Sequence, residues 1–154
     1  MAELRLARGF LDDHRYAEAL PLLERLTRLM PPHACTQQDL ALALRGDGQL
    51  DRAQAVYHQA LALWPSHADT HFNLGVLQAI HLGRLDDAID SFEAYLHHGG
   101  SQQERARAQL YATRRSQRSH ELRVKAAERQ KRARVVNAER LRLLDEAAEN
   151  SNDP

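Results

Sequence analysis

Shifted along itself by 34 residues, the 154-residue chain meets its own pattern. Leu6 and Ala7 fall on Leu40 and Ala41, and then on Leu74 and Gly75. Phe10 falls on Leu44, Ala19 on Ala53, Leu23 on Tyr57, Leu26 on Ala60 and Pro31 on Pro65. A third copy continues through Ala88, Phe92 and Tyr95, but one residue late, so an extra residue lies between Gly75 and Gly83. The turn recurs too, as HRYAEAL, GQLDRAQ and GRLDDAI. A period in this range marks stacked helical hairpins. Each hairpin is too small to bury its own apolar face, so it must lean on its neighbours.

The residue types at the recurring positions have a physical reading. Small residues (Ala7, Ala41, Gly75 and Ala19, Ala53, Ala88) let the two helices of a hairpin approach closely. Larger ones (Phe10, Leu44 and Leu23, Tyr57, Phe92) fill the space between one hairpin and the next. Pro31 and Pro65 end second helices, because proline cannot continue a helix and restricts the residue before it. Thr36 with Asp39, Ser66 with Asp69, and Ser101 with Glu104 read as helix starts of the capping-box kind. Ala, Leu, Arg, Glu and Gln abound while Val, Ile and Thr are sparse, which favours helix over strand. With aromatics at 5%, the core must be aliphatic and rich in Ala.

These positions resemble the tetratricopeptide repeat family: the small–large alternation, the turn Gly, the Ala of the second helix and the closing Pro. The resemblance covers roughly residues 1–100. Three features depart from it. His14 stands where the other copies have a turn Gly, Tyr95 replaces a small residue, and Gly99-Gly100 replaces Met-Pro and Trp-Pro. The inserted residue either lengthens the first helix of the third hairpin or makes a π-bulge. The resemblance implies an all-α fold, a right-handed superhelical stack of three hairpins (about 1–33, 34–67 and 68–100). A capping helix over 101–116 follows, then a basic helical extension over 117–149 and a disordered polar tail over 150–154.

In such solenoids the first helices line a concave face. Carried over residue by residue, the lining is Leu4, Arg8, Leu11 and Asp12 from the first copy and Gln38, Leu42 and Arg45 from the second. The third gives Asp69, Phe72 and Val76, with Ala79 or Ile80 depending on the insertion, and Phe72 is expected to be an anchor for a ligand. This face is mainly apolar with two arginines, suited to a peptide with apolar anchors and one or two carboxylates. Some relatives clamp a C-terminal carboxylate with paired Lys, Asn and Arg. The matching positions here hold Leu4, Arg8, Asp39, Asp69 and Asn73, of which only Arg8 would serve.

Charge divides the chain. Residues 1–104 carry 8 basic and 14 acidic side chains, a net of −6, and residues 105–154 a net of +6. The basic surface comprises Arg114, Arg115, Arg118, Arg123, Lys125, Arg129, Lys131, Arg132 and Arg134. It reads as a solvated helix, as a surface for nucleic acid or an anionic membrane, or as a dock for an acidic protein surface. Against the nucleic-acid or membrane reading, the stretch has no aromatic residue for base stacking and no bulky apolar face for membrane insertion. A seam runs Leu122, Ala126, Arg129, Ala133, Val136, Arg140, Leu143, Ala147 in steps of four and three. Two arginines and three alanines make it a poor coiled-coil core, though a partner helix, including that of another copy, can use it.

Motifs for chemistry are few. His67 and His71 are spaced for one helix face, but no third ligand is fixed, so no metal site and no cofactor are expected. The single cysteine, Cys35, excludes a disulfide framework. There is no Gly-rich phosphate loop, nucleophile elbow or metalloprotease motif. The expectation is a cytoplasmic, non-enzymatic protein-interaction module holding a peptide or helix of another protein, with the basic helix as a second contact. The alternatives are a nucleic-acid-associated protein acting through that helix and a regulatory fragment of a larger enzyme.

Overall fold

A computed structural model describes residues 2–151. Its elements are all helical: α1 (Ala2–Asp12), α2 (Tyr16–Leu29), α3 (Ala34–Gly46), α4 (Leu50–Leu63), α5 (Ala68–Val76), α6 (Leu85–His97) and α7 (Gln103–Ser151). A π-helical segment, Leu77–Leu82, continues α5. The pairs α1·α2, α3·α4 and α5·α6 are antiparallel hairpins stacked in chain order. The chain forms two compact units, residues 1–114 and residues 115–154.

Most of the recurring apolar positions of the sequence are buried, Leu6 (52% exposed) and the partly buried Phe10 excepted. Ala7, Ala41, Ala19, Ala53 and Ala88 are fully buried, as are Leu23, Tyr57 and Phe92. A Cβ at Gly75 would stand 2.9 Å from Cε1 of Phe92, so the third hairpin closes more tightly than Ala would permit. Two apolar clusters result. One joins the first two hairpins to Leu74 and Leu77. The other joins Phe72, Phe92 and Tyr95 to Ala106 and Leu110, so the start of α7 covers the last hairpin. Tyr111 takes no part in that cover and is 72% exposed.

The turns explain the departures. Gly48 and Gly83 adopt positive φ (82° and 66°), and His14 adopts φ 58° at the same place in the first turn. In the first two turns the residue after it donates back to the helix, Arg15 N–H to Phe10 O at 2.8 Å and Gln49 N–H to Leu44 O at 2.8 Å. In the third, Arg84 N–H reaches Gln78 O at 2.9 Å, one residue further back, because the inserted residue is absorbed in the π-helical segment. Met30 is extended before Pro31, and Trp64 leaves the helical region (φ −132°, ψ 76°) before Pro65, so that α2 and α4 end there as the following ring requires. Pro21 lies inside α2 rather than between helices.

The expected capping boxes do not form at α3 and α5. Thr36 is inside α3 and buried, and the positions before α3 and α5 are His33 and His67, with no side-chain cap bond. At α7 the Gln102 N–H is instead satisfied by Tyr95 Oη at 2.6 Å. Helix α7 runs to Ser151, past the end expected at 149. Of the tail expected to be disordered, 152–154 lie outside the described residues. No helix among the described residues is long and apolar enough to cross a membrane.

Candidate peptide-binding face of the first helices

Helix α1 packs beside α3, and α3 beside α5, so the first helices of the hairpins share one face. Of the lining residues expected there, Leu4, Gln38, Leu42, Arg45 and Val76 are half-buried, while Arg8 and Asp69 are exposed. Two expectations fail. Leu11 is buried in the first core cluster. Phe72 is 9% exposed and packs edge-on against Phe92 at 5.7 Å and tilted against Tyr95 at 5.3 Å between ring centroids. Both lie at positions that the seating of neighbouring helices covers. Of the two positions left open by the insertion, Ala79 packs on the second cluster and Ile80 is 63% exposed.

The face has its own ionic structure. Arg8 Nε donates to Asp39 Oδ2 at 2.7 Å, tying the first hairpin to the second. Burial raises the Asp39 pKa more than Arg8 lowers it, while that hydrogen bond holds the Arg8 guanidinium above its ordinary value. Arg8 is therefore engaged within the chain, and Arg45 is the half-buried guanidinium of the face with no ion pair among the described residues. Tyr57, which feels the Arg45 charge, has a buried hydroxyl with no hydrogen-bond partner among the described residues, and burial pushes its pKa up to about 12. Arg105, from the start of α7, lies 5.1 Å above the Phe72 ring. Neither the Asp39 bridge nor the Arg105 contact was readable from spacing, since each depends on how adjacent hairpins seat.

Between α4 and α6 lies an open groove of about 490 Å³ lined by Gln54, His58, His71, Arg84, Asp87 and Asp90. Its floor carries a buried bond from Ser91 Oγ to Gln78 Oε1 at 2.7 Å. His67 and His71 each bond within the chain. His67 Nδ1 pairs with Thr70 Oγ1 at 2.8 Å, and His71 Nε2 donates to Pro65 O at 2.7 Å. Among the described residues no group of three or more His, Cys, Asp or Glu is placed to hold a metal ion.

The basic residues divide between the two units. Arg114 bridges to Glu93 within the first. Arg115, Arg118, Arg123, Lys125, Arg129, Lys131, Arg132 and Arg134 are exposed on the second.

Residues 39–104 match the family model described as tetratricopeptide repeat. No curated protein matches the chain. Among solved structures, PcrH of Pseudomonas aeruginosa, in complex with the chaperone binding region of PopD, is 18% identical with a TM-score of 0.69, over 75% of this chain and 91% of that one. The Yersinia enterocolitica type III secretion chaperone SycD, with a peptide of the translocator YopD, is 16% identical with a TM-score of 0.67, over 75% and 92%. The second such domain of human RPAP3, with an HSP70 peptide, is 23% identical with a TM-score of 0.64, over 73% and 92%. At these identities the likeness is one of fold.

Proposed function

We propose that this chain, a tetratricopeptide repeat protein, is a non-enzymatic binding module that holds a peptide or helical segment of another protein. The segment lies across α1, α3 and α5. The observation that carries this reading is the composition of their common face. Leu4, Leu42 and Val76 are apolar yet only half-buried, and Arg45 makes no ion pair among the described residues. Covering an apolar side chain yields about 25 cal/mol per Å² removed from water. A guanidinium half out of solvent gains a charge-assisted bond from an incoming carboxylate. The ligand chemistry is thus a segment with apolar anchors and an acidic residue near Arg45. The solved complexes of PcrH, SycD and RPAP3 with peptides of other proteins support the general role.

The test is site-specific photo-crosslinking in the source cell. A crosslinker at Leu42 or Val76 should capture a protein partner, and one at Gln59 on α4 should not. Arg45→Glu should abolish the capture. Equal adducts from Gln59, or capture that survives Arg45→Glu, would overturn the assignment of this face.

A further inference from the structure

We propose that the free part of α7 pairs antiparallel with the same segment of a second copy of this chain, Leu122 of one facing Ala147 of the other. Every side chain from residue 120 to 147 is exposed, so this helix carries its apolar seam with nothing upon it. Leu122, Val136 and Leu143 remain 60%, 68% and 53% exposed. The occupant is read from charge and from size.

Charge comes first. The residues flanking the seam on one side are Lys125, Arg132, Glu139 and Glu146, basic in the first half and acidic in the second. Turned antiparallel, Lys125 meets Glu146 of the second copy and Arg132 meets Glu139 of the second copy. The twofold symmetry repeats both, giving four ion pairs. A parallel pair offers none: Lys125 would meet Gln130, Arg132 would meet Asn137, and Glu139 would meet Leu144. Sliding the antiparallel pair by one heptad sets Arg132 against Arg132. Lys125 and Arg132 make no ion pair among the described residues, so their charges are available. Glu139 and Glu146 bind Arg142 of their own helix, at 3.2 and 3.5 Å. Such exposed pairs contribute little and leave carboxylate oxygens to accept a second cation.

Size points to the same register. Leu122 faces Ala147, Leu143 faces Ala126, and Val136 faces Ala133. Each larger residue thus meets an alanine, and the two helices stay evenly spaced. In a parallel pair alanine would face alanine and leucine would face leucine. The seam's three alanines, which make a poor core against copies of themselves, become the complement of its larger residues. Arg129 faces Arg140 in two layers. A parallel pair has as many like-charged layers, so these do not decide orientation, and both stems cover the seam while their ends reach water. The overlap from 122 to 147 is about 38 Å long at 1.5 Å per residue.

The experiment is sedimentation equilibrium on the full chain, followed by charge reversal. The unaltered chain should sediment at twice its monomer mass at micromolar concentration. Lys125→Glu with Arg132→Glu should return it to monomer, and adding Glu139→Lys with Glu146→Lys should restore the dimer. All four sites are exposed, so circular dichroism should show undiminished helix. Orientation is read separately in a Cys35→Ser background. A mixture of Ala126→Cys and Leu143→Cys chains should cross-link between the two types, not within either. Four outcomes overturn the proposal: a monomer throughout, a dimer indifferent to the charge reversals, like-with-like cross-links, or a monomer that binds duplex DNA through these same residues.

Discussion

The ring of Tyr95 lies directly on Gly100, leaving no room there for a Cβ. The two residues depart from the repeat pattern together: the ring needs the glycine, and its hydroxyl accepts the Gln102 N–H that opens α7. Gly100→Ala should destabilise the chain by about 1–3 kcal/mol through overpacking, and Tyr95→Ala by about 3–5 kcal/mol through the cavity it leaves. In the double variant the clash disappears, so its loss should fall below the sum. Chemical denaturation of the three variants measures this, and strict additivity would separate the two residues.

Tyr57 buries a hydroxyl that finds no hydrogen-bond partner among the described residues. Leaving such a group unsatisfied costs about 1–3 kcal/mol. Tyr57→Phe keeps the ring that fills the core, so it should raise stability by about 1 kcal/mol in a thermal melt. A loss of stability would mean that the hydroxyl has a native partner.

His14 holds φ 58° where the equivalent turns have Gly48 and Gly83. A left-handed conformation costs an L-residue about 1–2 kcal/mol. The bond from His14 Nδ1 to Tyr16 Oη, at 2.8 Å, is exposed and offsets only part of this. His14→Gly should therefore stabilise by about 0.5–1 kcal/mol, whereas Gly48→His should destabilise. Equal melting temperatures for all three chains would contradict the strain.

Phe72 is a member of the second core cluster. With the ring packed among Phe92, Tyr95 and Arg105, Phe72→Ala should cost about 3–5 kcal/mol of folding stability. Leu42→Ala, at a half-buried site, should cost clearly less while weakening partner capture more. Denaturation and crosslinking yield on the same two variants distinguish the roles.

Asp39 is buried enough that its pKa lies above the ordinary 3.8 despite Arg8. The folded state therefore keeps this proton to higher pH than the unfolded state does. The contribution favours folding at low pH and is lost as pH rises from the unfolded value through the folded one. Asp39→Asn should remove that fall from the stability-against-pH curve over the acidic range. An unchanged slope would mean that Asp39 titrates alike in both states.

Much of the fold was legible because repetition registers the chain against itself. Any position that must be small, such as Ala53, or must fill an inter-hairpin gap, such as Leu23 and Tyr57, declares itself several times over. The face of the first helices was less legible. Spacing locates Leu11 and Phe72 on the same side as Leu42, but it does not say how deeply the next element covers them. The helix starts at Ala34 and Ala68 were misplaced because buried packing, not a side-chain cap, fixes them.

The sequence by itself determined the period, the hairpin order, the small–large complementarity within each copy and the place of the inserted residue. Those are local demands, met by whichever residue sits at each position. Only the tertiary structure decided which apolar residues are core and which remain half-exposed, that Arg8 is spent on Asp39 while Arg45 is not, and that Tyr95 and Gly100 compensate one another. Such outcomes depend on how neighbouring hairpins seat on one another in three dimensions, and linear spacing carries no measure of that.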